Sequence, residues 1–147
     1  MDVLELLKAD HDRINLLLDQ FRTETGRQQQ ILIFESVRND LNVHLKVEEE
    51  IFYPAFRNYP ELKEIVDSFF KEHQEVRDYL ERINALPDGS TEIEGQVTTF
   101  SDALNRHLQE EEITLFPMVR KVMKRSERER LGRHIQAMKT ELNREAA

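Results

Sequence analysis

Residues 44–54 read HLKVEEEIFYP, and residues 107–117 read HLQEEEITLFP. Each begins His-Leu, places a Glu four positions after the His, and reaches an aromatic residue and then Pro at the same offset. On a helix, positions i and i+4 share one face. His44 and Glu48, and likewise His107 and Glu111, therefore project side by side, about 6 Å apart along the axis. The echo extends beyond these stretches. His11 precedes His44 by 33 residues and His73 precedes His107 by 34, while 62 and 63 residues separate the corresponding histidines of the two halves. The chain thus reads as two similar helical hairpins, each supplying His and then His-x-x-x-Glu, related by a pseudo-two-fold axis.

Apolar periodicity predicts helices over about 2–23, 28–56, 61–85 and 91–124. They are separated by Thr25-Gly26-Arg27, by Asn58-Tyr59-Pro60 and by the clear turn Pro87-Asp88-Gly89-Ser90. Short connections between helices of similar length predict an all-α fold, an up-down-up-down antiparallel four-helix bundle. A short fifth helix is expected over about 126–144, with a narrow stripe of Leu131, Ile135, Met138 and Leu142. The expected organisation is a bundle over 1–124 and a C-terminal helix within 125–147 that packs on or extends it. Thr91 with Glu94, and Ser126 with Glu129, fit capping boxes. Pro54 and Pro117 recur at matching places, so the kinks they impose belong to the architecture.

Composition narrows the function. A chain of 147 residues suits one domain, and 34% charged residues suit amphipathic helices. The formal net charge of −8 argues against nucleic acid, whose phosphates it would repel. No apolar run approaches a membrane span, and the N-terminus MDVLELLKADHDR lacks the pattern of a signal peptide. A soluble cytoplasmic protein is expected. The absence of cysteine excludes disulfides, thiolate metal sites and a cysteine nucleophile.

In each predicted bundle helix, one step of the apolar stripe is a histidine: His11, His44, His73 and His107. Glu48 and Glu111 follow on the same face in the second and fourth helices. Six titratable groups therefore point into one core. Buried unpaired carboxylates are costly, and two of them repel. A pair of cations removes the conflict, with imidazoles donating nitrogen and carboxylates bridging. Mixed nitrogen and oxygen donors without thiolate favour iron, with manganese and zinc behind it. A single tetrahedral zinc site would use fewer donors than these six.

With H(11), HLKVE(44–48), H(73) and HLQEE(107–111), the chain resembles the hemerythrin-like family of HHE cation-binding domains over roughly residues 1–124. The resemblance implies two Fe ions, Fe2+ or Fe3+, with a bridging oxo or hydroxo species. His11 and His44 would hold one, His73 and His107 the other, and Glu48 and Glu111 would bridge both. The oxygen carriers of the family add a fifth His four residues after the third-helix His, where this chain has Arg77. One metal would then keep an open position, which favours reactivity over simple carriage. The carriers also place an Asp five residues after the last His; Glu112 stands there, and internal repetition favours Glu111 as the bridge.

The implied function is binding of O2 or a related diatomic or peroxide ligand, with sensing, storage and detoxification all open. The alternatives are a redox enzyme that removes peroxide or nitric oxide, and a metal-buffering or interaction module. The stripe of the fifth helix is a surface through which a homodimer could form. His134 is expected on the surface. Tyr53 is expected to pack near the site, a reading that Phe at the matching position 116 favours, with a hydrogen bond as the alternative. Phe34, Phe69 and Phe100 are expected in the core and around the metals. Beside Glu48 and Glu111, the acidic neighbours in 48–50 and 110–112 are expected to be solvated.

Overall fold

A computed structural model describes residues 1–146. All its regular elements are helical. The first hairpin is α1 (Val3–Thr23) and α2 (Arg27–Val47), and α2 continues as a π turn (Glu48–Phe52) and a 3₁₀ turn (Tyr53–Phe56). The second hairpin is α3 (Pro60–Asn84) and α4 (Ile93–Glu110), followed by a second π turn (Glu111–Leu115) and α5 (Phe116–Val122). Helix α6 (Arg125–Ala146) closes the chain. α1 packs on α2 and α3 on α4, and α1 meets α4 across the bundle.

Local signals explain the ends. Asp2 caps α1 by accepting from the amides of Leu4 (2.9 Å) and Glu5 (3.1 Å), while Glu5 accepts in return from the Asp2 amide at 3.3 Å. Pro60 occupies the first turn of α3, where its missing N–H costs nothing. Gly89 turns the chain between α3 and α4 with φ +85°, a conformation open to glycine. The two expected capping boxes do not form. α4 starts at Ile93, after Ser90 has accepted from the Glu92 amide, and Ser126 lies already inside α6. Thr91 and Glu92 are still turn residues, so Thr91 does not stand at the N-cap.

The prolines have a specific consequence. Proline offers no N–H, and its ring crowds the carbonyl four residues back. Before Pro54 and Pro117 the helix widens by one residue: the amide of Tyr53 reaches the Glu48 carbonyl, and that of Phe116 reaches the Glu111 carbonyl. Both widened turns begin on the repeated Glu, a placement common at functional sites.

The apolar core falls into two clusters. One contains Leu7, Val47, Phe52, Phe56, Phe69 and Leu115; the other contains Ile14, Leu41, Leu45, Val76, Phe100 and Leu104. The four histidines interrupt the stripes between these clusters, so a polar layer crosses the bundle. Phe69 borders that layer, whereas Phe34 and Phe100 pack on each other in the second cluster, ring centroids 5.9 Å apart. α6 rests on α1, α2 and the first π turn. Ile135 of its stripe is buried there, with Leu131, Met138 and Leu142 packed alongside, so the stripe serves this chain's own bundle. No described helix is long and apolar enough to cross a membrane.

Candidate metal centre

The six residues singled out by the repeat meet in the polar layer, all buried to within 2%. Their ligand atoms form two groups, His11–His44–Glu48–Glu111 and Glu48–His73–His107–Glu111, each within 4.8 Å and able to hold a metal ion. The two carboxylates belong to both groups. Glu48 Oε1 lies 3.2 Å from His44 Nε2 in its own hairpin and 3.2 Å from His73 Nε2 in the other. Glu111 lies 3.8 Å from His107 Nε2 in its own hairpin and 3.3 Å from His11 Nε2 in the other. The paired rings keep the pseudo-symmetry, with centroids 4.9 Å apart for His11–His44 and 4.9 Å for His73–His107.

Several inward atoms have no hydrogen-bond partner among the described residues: His11 Nε2, His44 Nε2, both Glu48 carboxylate oxygens and Glu111 Oε1. Orphaned buried polar atoms are costly. Here they converge from two hairpins and carry nitrogen and oxygen donors only, which is the donor set of a cation pair. The residues present therefore fit divalent or trivalent metals.

The electrostatics without a cation show the same frustration. Burial disfavours charge on His44, but the Glu48 and Asp10 carboxylates outweigh it and push its pKa up to about 10. Burial likewise opposes charge on His73, whose pKa the nearby Glu48 and Glu49 carboxylates raise to about 9. Burial would lift the Glu48 carboxyl, yet His44 and the other partners hold it well below the ordinary carboxylate range. Burial and the Glu48 charge push Glu111 the other way. Two carboxylates in one dry site cannot both ionise freely without positive charge between them.

Around this layer runs a ring of carboxylates that the sequence reading missed. Each outward imidazole Nδ1 meets one: His11 meets Glu112 (2.6 Å), His44 meets Asp10 (3.0 Å), His73 meets Glu49 (2.8 Å) and His107 meets Glu72. Such partners fix the tautomer and aim Nε2 inward. Every one is the chain neighbour of an inward residue: Asp10 beside His11, Glu49 beside Glu48, Glu72 beside His73, Glu112 beside Glu111. One step along a helix turns about 100°, so these side chains face the adjoining helix. Glu49 and Glu112 are thus not the solvated neighbours expected of the acidic runs. Glu112 lies on the outer side of His11, and Glu111 is the inward carboxylate. The available signal was Asp-His at 10–11 and Glu-His at 72–73, together with the doubled Glu at 48–49 and 111–112.

Arg77, at the place of the carriers' fifth His, points to this ring. Its Nη2 donates to Glu49 Oε2 at 2.6 Å, the same oxygen that meets His73. Tyr53 packs against Phe52, Phe69 and His73, and also donates its hydroxyl to Glu111 Oε2 at 2.5 Å, 3.2 Å from His73 Nε2. Burial, Glu111 and Glu48 push the Tyr53 phenol well above its usual pKa, so it keeps its proton. Phe116, at the matching position, stacks on His11 at 6.0 Å instead. His134 is exposed on α6, away from the layer.

Known proteins share this fold or part of this sequence. A hemerythrin HHE cation-binding domain-containing protein of Mycobacterium kansasii has the same fold, with a TM-score of 0.88 at 24% identity, covering 99% of this chain and 90% of its own. A Nostoc protein named DNA nickase is 26% identical over 145 residues, covering 97% of this chain; the chain spans 40% of that relative's length. The hemerythrin HHE cation-binding domain model matches residues 2–119, and the chain belongs to that family.

Proposed function

We propose that the protein is a non-haem di-iron protein that binds O2 or a related small species, nitric oxide or peroxide. His11 and His44 would hold one iron, His73 and His107 the other, and Glu48 and Glu111 would bridge. The observation that carries this is the convergence of orphaned Nε2 and carboxylate oxygens from both hairpins, with each Glu facing one His of its own hairpin and one of the other. When bound, such a metal pair supplies Lewis acidity and electrons for a small ligand. The chain's own contribution is geometric and dielectric. Asp10, Glu49, Glu72 and Glu112 hold the imidazoles in the ligating tautomer. Phe52, Phe69 and Phe116 keep water from one side of the layer. Tyr53 holds a proton at Glu111 Oε2.

The test is metal analysis after expression in iron-replete medium, with absorption in the near ultraviolet before and after anaerobic reduction and addition of O2, nitric oxide or peroxide. About two irons per chain and a ligand-dependent spectrum are expected. Iron near zero would sink the proposal, and a redox-silent, zinc-loaded protein would favour a metal-buffering or interaction module.

A redox enzyme that consumes peroxide or nitric oxide is the second reading. It is favoured by Arg77, whose guanidinium engages Glu49 and cannot act as a fifth imidazole. Peroxide turnover by the iron form, lost in His107→Ala, distinguishes it from reversible binding. A DNA-directed role is disfavoured by the net charge of −8.

A further inference from the structure

The four outward carboxylates are matched by the repeat, but the cations behind them are not. Glu49 has Arg77, and Glu112 has the exposed Lys8 at 3.5 Å. Among the described residues Glu72 has no ammonium or guanidinium within 4.0 Å. Asp10 alone reaches outside the two hairpins, to Lys139 on α6. Both are largely buried, with side chains 17% and 16% exposed, so solvent screens this pair less than the other two. α6 lies beyond the matched residues 2–119 and packs only on the first hairpin and its π turn among its main contacts.

We infer that Lys139 is a positioning residue for His44: its ammonium orients the Asp10 carboxylate that accepts from His44 Nδ1–H, so that α6 is built into the metal position formed by His11 and His44 and not into the one formed by His73 and His107. This rests on the dinuclear site proposed above. A carboxylate behind a ligating imidazole keeps the Nε2 lone pair aimed inward, and losing such support typically costs 10- to 100-fold in metal affinity. Asp10 sits on the flank of α1, largely covered, with a single carboxylate to share between the imidazole and the ammonium. The ammonium selects the rotamer that meets His44, with Oδ1 on Lys139 and Oδ2 on the imidazole. No residue of the second hairpin supplies Glu72 with an equivalent.

The experiment uses the full chain as wild type, Lys139→Met, Lys139→Arg and Asp10→Asn. Arg133→Met, an exposed residue of the same helix, controls for loss of one positive charge. Zinc titration by calorimetry should show two equivalents in the wild type. In Lys139→Met, one equivalent should weaken by about tenfold and the other keep its affinity. Lys139→Arg should recover most of the loss. Asp10→Asn should reproduce it, and combining Asp10→Asn with Lys139→Met should add little. In the metal-free protein, nitrogen-15 spectra should show faster solvent exchange of the His44 Nδ1–H in Lys139→Met and unchanged exchange at His107. Equal weakening of both equivalents, no weakening, or the same effect in Arg133→Met would overturn the inference. If the wild type binds no metal, the dinuclear reading fails, and the His44 exchange alone decides whether Lys139 positions the ring.

Discussion

The two hairpins agree inside and differ outside. Their histidine pairs have the same centroid separation, each contributes one shared carboxylate, and each widens by one residue before its proline. The outward carboxylates match as well, and beyond them the likeness ends. Tyr53 of the first half hydrogen-bonds to Glu111 of the second, while Phe116 of the second stacks on His11 of the first. α6 braces α1 and α2, and Lys139 backs Asp10, whereas Glu72 has no such partner. The repeat therefore fixes the donor set, and the surroundings decide what each half of the centre can do. Metals ask the same geometry of both halves; a proton at Glu111 or a cation behind Asp10 is asked of one.

The largest effects should come from the symmetric layer, and they should be equal. His44→Ala and His107→Ala each remove one of two equivalent nitrogen donors, so each should cost one metal position at least about 100-fold in affinity, more than loss of an outer partner. Metal content after gel filtration checks this, and a large difference between the two variants would break the internal symmetry. Metal removal should also destabilise the fold. With free metal at about 100 times the dissociation constant, each of two sites contributes roughly 2.7 kcal/mol, about 5.4 kcal/mol together, so a chelator should lower the melting temperature by about 10–20 °C.

Removing the phenol makes the halves alike. Tyr53→Phe leaves Glu111 Oε2 buried without its donor, which should cost the metal-free protein roughly 1–3 kcal/mol in urea unfolding. The reciprocal change, Phe116→Tyr, would place a hydroxyl beside His11 and should not recover the loss at Glu111. An unchanged midpoint in Tyr53→Phe would show that the hydrogen bond contributes nothing to the fold.

The inner layer was legible because four histidines and two glutamates replace apolar residues at fixed helical phase, which brings them to one level of the bundle. The π turns were half legible: Pro54 and Pro117 announced a disturbance, but not that it would widen the helix at Glu48 and Glu111. The outer ring was missed because a charged residue one step from a core position looks the same whether it faces water or a neighbouring helix. Asp10 and Glu72 meet imidazoles only once α2 and α4 lie beside them. Lys139 lies 129 residues from Asp10, and no local pattern links them.

The docking of α6 can be loosened without touching the metal layer. A Cβ at Gly132 would sit 2.7 Å from the Met1 carbonyl oxygen and 3.2 Å from the Val3 nitrogen. These are backbone atoms and cannot swing aside. Gly132→Ala gains up to about 1 kcal/mol of helix propensity, but overpacking costs typically 1–3 kcal/mol. A net loss of roughly 1 kcal/mol is expected, measured by thermal melting, with the His11–His44 position affected more than the other. A stabilised variant would mean that α6 shifts freely on α1.

The smallest effect concerns the same contact at its charged end. Asp2 caps α1 and accepts from Arg128 of α6 at 3.2 Å. Burial alone would raise its pKa, but the Glu5 and Leu4 amides and the Arg128 guanidinium together lower it from 3.8. A lowered folded pKa means that the unfolded chain takes up the proton first. The stabilisation is therefore complete above the unfolded value of 3.8 and disappears as pH falls through the folded one. Asp2→Asn keeps a capping oxygen and loses the charge, so it should cost about 0.5–1 kcal/mol at pH 7, near the low end for a cap. The difference from wild type should shrink below the unfolded pKa. A penalty that stays constant down to pH 2 would assign the contribution of Asp2 to cap geometry alone, and the charge that joins α6 to the first hairpin would then contribute nothing to its asymmetry.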